Sequence, residues 1–411
     1  MAEPALASGA TFARVPYAPA DRAAWRDLPF DVEEYRRRVA AVQARLAESE
    51  LAGAVVHGKG TDMANLWYLS GWPNPLMGDA LLVIPAHGDP TLITDAIVHG
   101  EPMHTEISQA WMDDVRCSPH THAGATYRNV RTLTEHLTDC LAERGLTAGR
   151  LGVSGPWSDG LRAALADASG GLRTEPIDAA LAGLRAVKSP AEQAVMRRAA
   201  EIAETALASA VAAVRPGARE LDVAAAIYAT MISEGADGAI YFVQVVSGPR
   251  AGFRNVRPTA RQLTDGDPVY IGFGLRYQGY CARVATGLTA GTPSPEWRGL
   301  LDANRQILRQ SLAAARPGAP VTDVTDAGTR LADELGVGQE TWVGGHGLGL
   351  HTHDLPLIGP HSTDIFEVDQ TFICEPMICR TGLGTANSER VYLMTAAGPE
   401  PLAGAQRPWE Q

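Results

Sequence analysis

The sequence predicts an α/β (α+β) chain of two domains, the second assembled from two similar halves. Three observations predict it. Short apolar strands alternate with helical periodicities over the first 185 residues. A strong helix-start signal, Ser189-Pro190-Ala191-Glu192, then opens a long Ala-rich stretch. Finally, Arg215-Pro216-Gly217-Ala218 followed by Asp222-Val223 recurs as Arg316-Pro317-Gly318-Ala319 followed by Asp323-Val324. A repeated turn with matching helical flanks argues for a duplicated unit whose site lies between the copies.

Residues 1–30 are rich in Ala and Pro without periodicity and read as an arm. From Asp31, Tyr35, Val39, Val42 and Leu46 recur at spacings of three and four, the stripe of an amphipathic helix. Strands are expected at Ala54-Val55-Val56, Ala80 to Ile84, Thr91-Leu92-Ile93 and Arg150 to Val153, with a helix over 126–144. This gives a small N-terminal α/β domain over 31–185. At the boundary, Ser189 and Glu192 can form a reciprocal capping box with Pro190 at the first helical position. The helix should run to about Val214, opening a second domain over 186–411.

At 411 residues the chain can bury two cores, and its 45% apolar and 20% charged content is ordinary for globular proteins. A net charge of −12 argues against nucleic acid or an anionic membrane surface as a partner. Lys occurs only at Lys59 and Lys188, and no basic cluster stands out. The five cysteines, Cys117, Cys140, Cys281, Cys374 and Cys379, form no CxxC pair, so neither a zinc knuckle nor a disulfide framework is indicated. The N-terminus does not read as a signal peptide, and no stretch reads as a membrane span. A soluble cytoplasmic protein is the expectation.

Chemistry concentrates late in the chain. Gly344-Gly345-His346-Gly347-Leu348-Gly349-Leu350, Cys374-Glu375-Pro376-Met377-Ile378 and Ser388-Glu389-Arg390-Val391 carry the candidate groups. With Asn65 to Gly71, Val187 to Glu192, Asn255 to Thr259, Gly266-Asp267 and Gly279-Tyr280-Cys281, they fall in an order that resembles the creatinase/prolidase/aminopeptidase-P family, the "pita-bread" hydrolases. The resemblance implies a creatinase-like N-terminal domain, a pseudo-symmetric pita-bread domain and a homodimer. For metal-using members it also implies five ligands: two Asp, one His and two Glu.

Here the His and both Glu positions match His346, Glu375 and Glu389. Counting from Gly266-Asp267, the two Asp positions read Gly272 and Arg283, with the eleven-residue spacing kept. Gly272 offers no ligand, and Arg283 brings a permanent positive charge to the place of a cation. Two hard cations close together need bridging carboxylates, so no metal ligand and no cofactor are expected. Two close carboxylates without a cation would repel, and Arg283 is expected to pair with one or both. A third departure is Asn255, where relatives have a proton-moving His; an amide does not titrate there. His353 follows His346 by seven residues, and the resemblance places it near the leaving group. Cys281 and Cys374 read as packing residues. In family dimers a loop after Gly71 reaches the partner's site, which makes Trp72, Met77 and Asp79 candidates for substrate contact.

The expected activity is a metal-independent, creatinase-like hydrolase, or a repurposed lyase. It would cleave a C–N or related bond in a small polar, amidino- or amino-acid-derived substrate of specialised metabolism. His346, His353, Glu375 and Glu389 are its catalytic candidates, with Arg283, Asn255, Trp72, Met77 and Asp79 contacting substrate. Two other readings stand beside it: a metal-dependent Xaa-Pro dipeptidase or aminopeptidase, and a catalytically silent binding protein of the same fold.

Overall fold

The computed structural model describes residues 26–73, 78–98, 101–102, 109–119, 131–167, 171–404 and 407. Most of the expected arm, and Met77, lie outside these residues. The chain divides into two compact units, Met1–Leu184 and Arg185–Gln411.

In the first unit, α1 (Val32–Glu48) buries the stripe Tyr35, Val39, Val42 and Leu46. The expected strands form as β1 (Gly53–Lys59), β2 (Asp79–Pro85), β3 (Thr91–Val98) and, later, β6 (Arg150–Ser154). Short strands β4 (Glu101–Pro102), β5 (Val115–Pro119) and β7 (Arg173–Pro176) extend the sheet in the order β4-β3-β2-β1-β6-β7, with β5 on β3. The central strand β1 runs antiparallel to β2 and parallel to β6. Helices α2 (Ala64–Ser70), α3 (Leu133–Glu143), α4 (Asp159–Asp167) and α5 (Asp178–Ala186) complete the unit's elements. Val55, Leu81, Val83, Ile93, Leu137, Leu141, Leu151 and Leu161 form one core. Helix α3 starts at a reciprocal capping box between Thr132 and Glu135, which fixes its first turn; residues 126–130 of the expected helix lie outside the described residues.

The second unit opens on α6 (Pro190–Ala213), whose start is the box expected from Ser189 and Glu192. Its buried face is largely alanine, including Ala199, Ala203, Ala206 and Ala210, and lies against the central hairpin of the unit. Helices α7 (Glu220–Ser233), α8 (Pro295–Ala314) and α9 (Thr322–Glu334) follow. The strands are β8 (Gly238–Ala239), β9 (Gln244–Ser247), β10 (Asp267–Tyr277), β11 (Tyr280–Ala290), β12 (Thr341–Trp342), β13 (Gly345–Gly347), β14 (Asp354–Ile358), β15 (Thr371–Cys374), β16 (Met377–Arg380), β17 (Gly384–Glu389), β18 (Val391–Thr395) and β19 (Gly398–Pro401). One sheet runs β12-β16-β17-β11-β10-β8 with β9 on β10, and the other β14-β13-β15-β18-β19. Among the described residues no helix is long and apolar enough to cross a membrane.

The sequence repeat is a structural repeat. Each Arg-Pro-Gly-Ala follows a long helix, α6 or α8, and precedes a shorter one, α7 or α9. Gly217 and Gly318 both adopt left-handed φ, 87° and 79°. Their N–H groups donate to the Leu263 and Phe366 carbonyls, at 2.8 and 2.7 Å, and those residues donate back to the Ala218 and Ala319 carbonyls. Two turns 101 positions apart in the numbering thus share one bonding pattern. This is the pseudo-symmetry of the pita-bread fold.

Because α6 starts on a side-chain cap, Ser189→Ala is expected to lower stability by about 1 kcal/mol. Ser189→Asp should restore most of it. Urea unfolding of the three proteins checks this.

Candidate active site

The hairpin β10–β11 builds the floor of the site. Strand alternation places Tyr270, Gly272 and Gly274 on one face of β10. Across the register Gly272 faces Ala285, Gly274 faces Arg283, and Ala285 in turn faces Glu389 of β17. Facing residues of antiparallel strands project from the same side. Gly272 and Arg283 are therefore diagonal neighbours beside Glu389, as the eleven-residue count requires.

The two glycines leave room, and the room is filled. A Cβ at position 272 would lie 2.4 Å from the Tyr270 hydroxyl, and one at 274 only 3.0 Å from Arg283 Cγ. Tyr270 thus folds its phenol over Gly272, and Arg283 runs over Gly274 into the centre. The other sheet brings His346 on β13, with Glu375 just after β15. Glycines flank His346 because β13 is squeezed between its neighbours: a Cβ at 345 or 347 would sit 2.0 Å from the Ile373 or Leu355 carbonyl oxygen.

Arg283 joins these pieces at 9% exposure. Its Nη2 lies 3.4 Å from Glu375 Oε2, and its Nε 3.3 Å from Glu389 Oε1 and 3.2 Å from the Tyr241 hydroxyl. Its Nη1 donates to His346 Nε2 at 2.6 Å. The sequence expectation of one or two Glu partners is met by two. Burial alone would lower the Arg283 pKa, but Glu389, Tyr241 and Glu375 outweigh it and keep the guanidinium charged.

The same bond fixes His346. Its Nε2 accepts from a cation, so its proton is on Nδ1, donated to the Gly347 carbonyl at 2.8 Å. Burial, with Arg283 pushing the same way, drives the imidazole down to about 3. His346 is therefore a neutral ring with both nitrogens occupied, a geometry that suits holding Arg283. His353 stacks on it, ring centroids 3.9 Å apart, and is exposed on its outer side. Burial of its inner side and the nearby Arg283 lower its pKa, so it too is neutral near pH 7. Glu375 moves the other way: burial, then Glu389, raise it to about 8.

Three groups escaped the sequence reading. Tyr241, between β8 and β9, accepts from Arg283 Nε and keeps its own proton, since burial pushes it up to about 12. Tyr270 is 2% exposed and burial pushes its phenol upward as well. Arg254 feels the charges of Glu375 and Glu389, which hold its guanidinium protonated. Its loop is pinched by Glu220, whose carboxylate accepts from the Ser247 and Thr259 N–H groups at 2.9 and 2.8 Å. The signal available was the alternation Tyr270-x-Gly272-x-Gly274.

The remaining expected residues make other contacts. Asn255 adopts φ 58° in an exposed loop, its N–H given to Gln244 Oε1. Trp72 and Asp79 belong to the first unit. Trp72 is 1% exposed, and the Asp79 carboxylate is bound by His57 at 2.6 Å and Lys59 at 2.8 Å. Cys281 and Cys374 are buried; burial raises Cys281 to about 12 and Cys374 further, which keeps both as inert thiols.

From the C-terminal segment, Arg407 inserts at 4% exposure beneath Glu389. It donates to the Glu389 carbonyl at 2.7 Å and the Ala285 carbonyl at 3.3 Å, while Glu204 of α6 binds its other edge at 2.8 and 2.9 Å. The facing pair that presents Glu389 is thus held from below.

These residues do not fit a pair of metal ions. Position 272 has no donor and its space holds a phenol, while a guanidinium lies between the two Glu. Among the described residues no group of three or more His, Cys, Asp or Glu is arranged to hold an ion.

Removing Arg283 should strand the buried Glu389 carboxylate beside protonated Glu375, and Arg283→Met is expected to cost about 3–5 kcal/mol in urea unfolding. Glu375 sets a pH dependence. Its folded pKa is raised from 4.5 to about 8, so the folded state binds this proton more tightly. The stability it contributes is complete below pH 4.5 and is lost as pH rises through 8. In EDTA-treated protein, Glu375→Gln should flatten the decline of Tm across that window.

The comparisons with known proteins agree with this architecture. The chain matches the Creatinase/Prolidase N-terminal domain over residues 38–187 and Metallopeptidase family M24 over 194–396. It is 25% identical to a Xaa-Pro dipeptidase of Pyrococcus furiosus over 62% of this chain and 74% of that protein. Among solved structures, Dipeptidase PepE from Mycobacterium ulcerans is 26% identical with a TM-score of 0.74, covering 92% of this chain and 98% of that one. A Xaa-Pro dipeptidase from Bacillus anthracis, 20% identical, superposes with a TM-score of 0.77 over 91% and 98%, which speaks to the fold. Both domains match in order, their fold is that of solved dipeptidases, and His346, Glu375 and Glu389 converge between its two sheets: the chain belongs to the creatinase/prolidase/aminopeptidase-P family.

Proposed function

We propose that this family member is a hydrolase of a C–N bond in a small amino-acid-derived substrate, with the Arg283 guanidinium doing the work that a metal pair would otherwise do. The observation that carries this reading is the double pairing of Arg283 with Glu375 and Glu389. It also narrows the substrate. With Glu389 paired to an arginine and Glu375 holding a proton, an amidino substrate has no counter-charge left, so an amide of an amino-acid-like molecule is favoured. A cytoplasmic homodimer is the assembly proposed with it.

The chemistry follows from the groups present. The scissile carbonyl oxygen accepts hydrogen bonds from Arg283 Nη protons not given to His346 or Glu375, and from the Tyr241 hydroxyl. Neutral His353, at the open side, takes a proton from water as its oxygen bonds to the carbonyl carbon. Glu375 carries a proton at neutral pH and gives it to the departing nitrogen as the C–N bond breaks. His353 then returns its proton to Glu375, directly or through water, and both groups are restored. His346 holds the guanidinium in place throughout.

A second reading, a metal-dependent Xaa-Pro dipeptidase, has its own support: M24 relatives carry that name, and three of five ligand positions are kept. For this reading His346, Glu375 and Glu389 would be the holding residues. Elemental mass spectrometry after growth with Mn, Zn, Fe and Co, followed by assays on amino-acid amides and Xaa-Pro dipeptides with and without EDTA, separates the two. We expect substoichiometric metal and EDTA-insensitive amide cleavage. Two ions per chain with EDTA-sensitive Xaa-Pro cleavage would favour the second reading.

Within the first reading, His353→Asn should lower kcat by about 100-fold or more. The pH–rate profile should fall above about 8 as Glu375 loses its proton, and in acid as His353 gains one.

A further inference from the structure

We infer that Tyr270 is the residue that closes this site to a metal pair, and that Tyr270 and Gly272 act as one coupled unit. This rests on the reading of Arg283 given above and adds a determinant of its own. Loss of an acidic ligand at position 272 would by itself leave only a hole, which a water or a weakly held ion could enter. Here the hole is occupied. The Tyr270 hydroxyl, Cζ and Cε1 lie 2.4, 2.9 and 3.2 Å from where a Cβ at 272 would be. Any side chain at 272 must displace the phenol first.

The phenol has little room to move. Tyr270 is 2% exposed, and its phenol lies over Gly272 at the paired centre of the strand. The backbone has little room either, because β10 is paired on both sides at this point: Tyr270 with Gly287 and Val246, Gly272 with Ala285 and Gln244. The strand cannot slide without breaking two ladders. Two separate obstacles therefore exclude a metal pair. Arg283 opposes it by charge, and Tyr270 opposes it by volume at the adjoining position. Restoring carboxylates at 272 and 283 removes the first obstacle and leaves the second.

The test compares metal binding in Gly272→Asp/Arg283→Asp with that in the same double variant carrying Tyr270→Leu. Titration calorimetry with Mn(II) and Co(II), the Co(II) absorption spectrum and elemental analysis are the readouts. The triple variant is expected to hold two ions, at least tenfold more tightly than the double variant. Equal binding of two ions by both would overturn the role of Tyr270. Should the acidic variants fail to fold, a Tm cycle over Gly272→Ala, Tyr270→Leu and their combination decides the same point. Coupling is expected, with Tyr270→Leu relieving most of the loss caused by Gly272→Ala, and additive effects would overturn the proposal. Wild-type metal content tests the earlier reading, and two ions there would overturn both. The difference between double and triple variants bears on Tyr270 alone.

Discussion

A guanidinium buried between two carboxylates organises the second domain. At an effective dielectric of about 20, the Arg283–Glu389 pair at 3.3 Å is worth about 5 kcal/mol, set against several kcal/mol of desolvation per ion, while Glu375 at 3.4 Å adds a hydrogen bond. The cluster is therefore near balance as a whole and costly to break in part. That asymmetry explains its surroundings. Tyr241 takes up the Nε proton, His346 takes up an Nη proton, and Glu375 keeps a proton of its own rather than add a second negative charge. Every neighbour is tuned to one fixed cation.

The strands around the cluster are shaped to the same end. Small residues, Gly272, Gly274 and Ala285, line one face of the hairpin so that two large side chains, Tyr270 and Arg283, can lie across it. The glycines about His346 serve the opposite purpose, letting backbones approach so closely that the ring has one place to go. Rigid backbone on both sides of a charged centre keeps water reorganisation small, which is what an electrostatic site requires.

Much of this was legible beforehand, because it rests on local chemistry. The capping box at Ser189 and Glu192, the stripe of α1 and the repeated Arg-Pro-Gly-Ala turns are set by neighbouring residues, and each stands where the sequence put it. Gly272 and Arg283 could be found by counting along a strand pair. What escaped depends on contacts through space. Tyr270 looked like an ordinary strand aromatic, and Tyr241 and Arg254 sit on connections with no periodicity to read. Residue type alone does not say which nitrogen of His346 is free; the bonds to Arg283 and to the Gly347 carbonyl engage both.

Arg407 carries a consequence for how the protein is made. Its partner Glu204 precedes it by 203 residues, and the Ala285 carbonyl that it binds precedes it by 122. At about 5–20 residues per second, a ribosome delivers Arg407 roughly 10–40 s after Glu204. Through that interval a carboxylate destined for the interior has no bidentate partner from this segment, and the β11–β17 pair lacks its support from below. The catalytic half is therefore expected to mature late, by capture of a distant arginine, well after the helix carrying Glu204 has been synthesised. For a nascent chain this is the window in which a chaperone would find the most to hold.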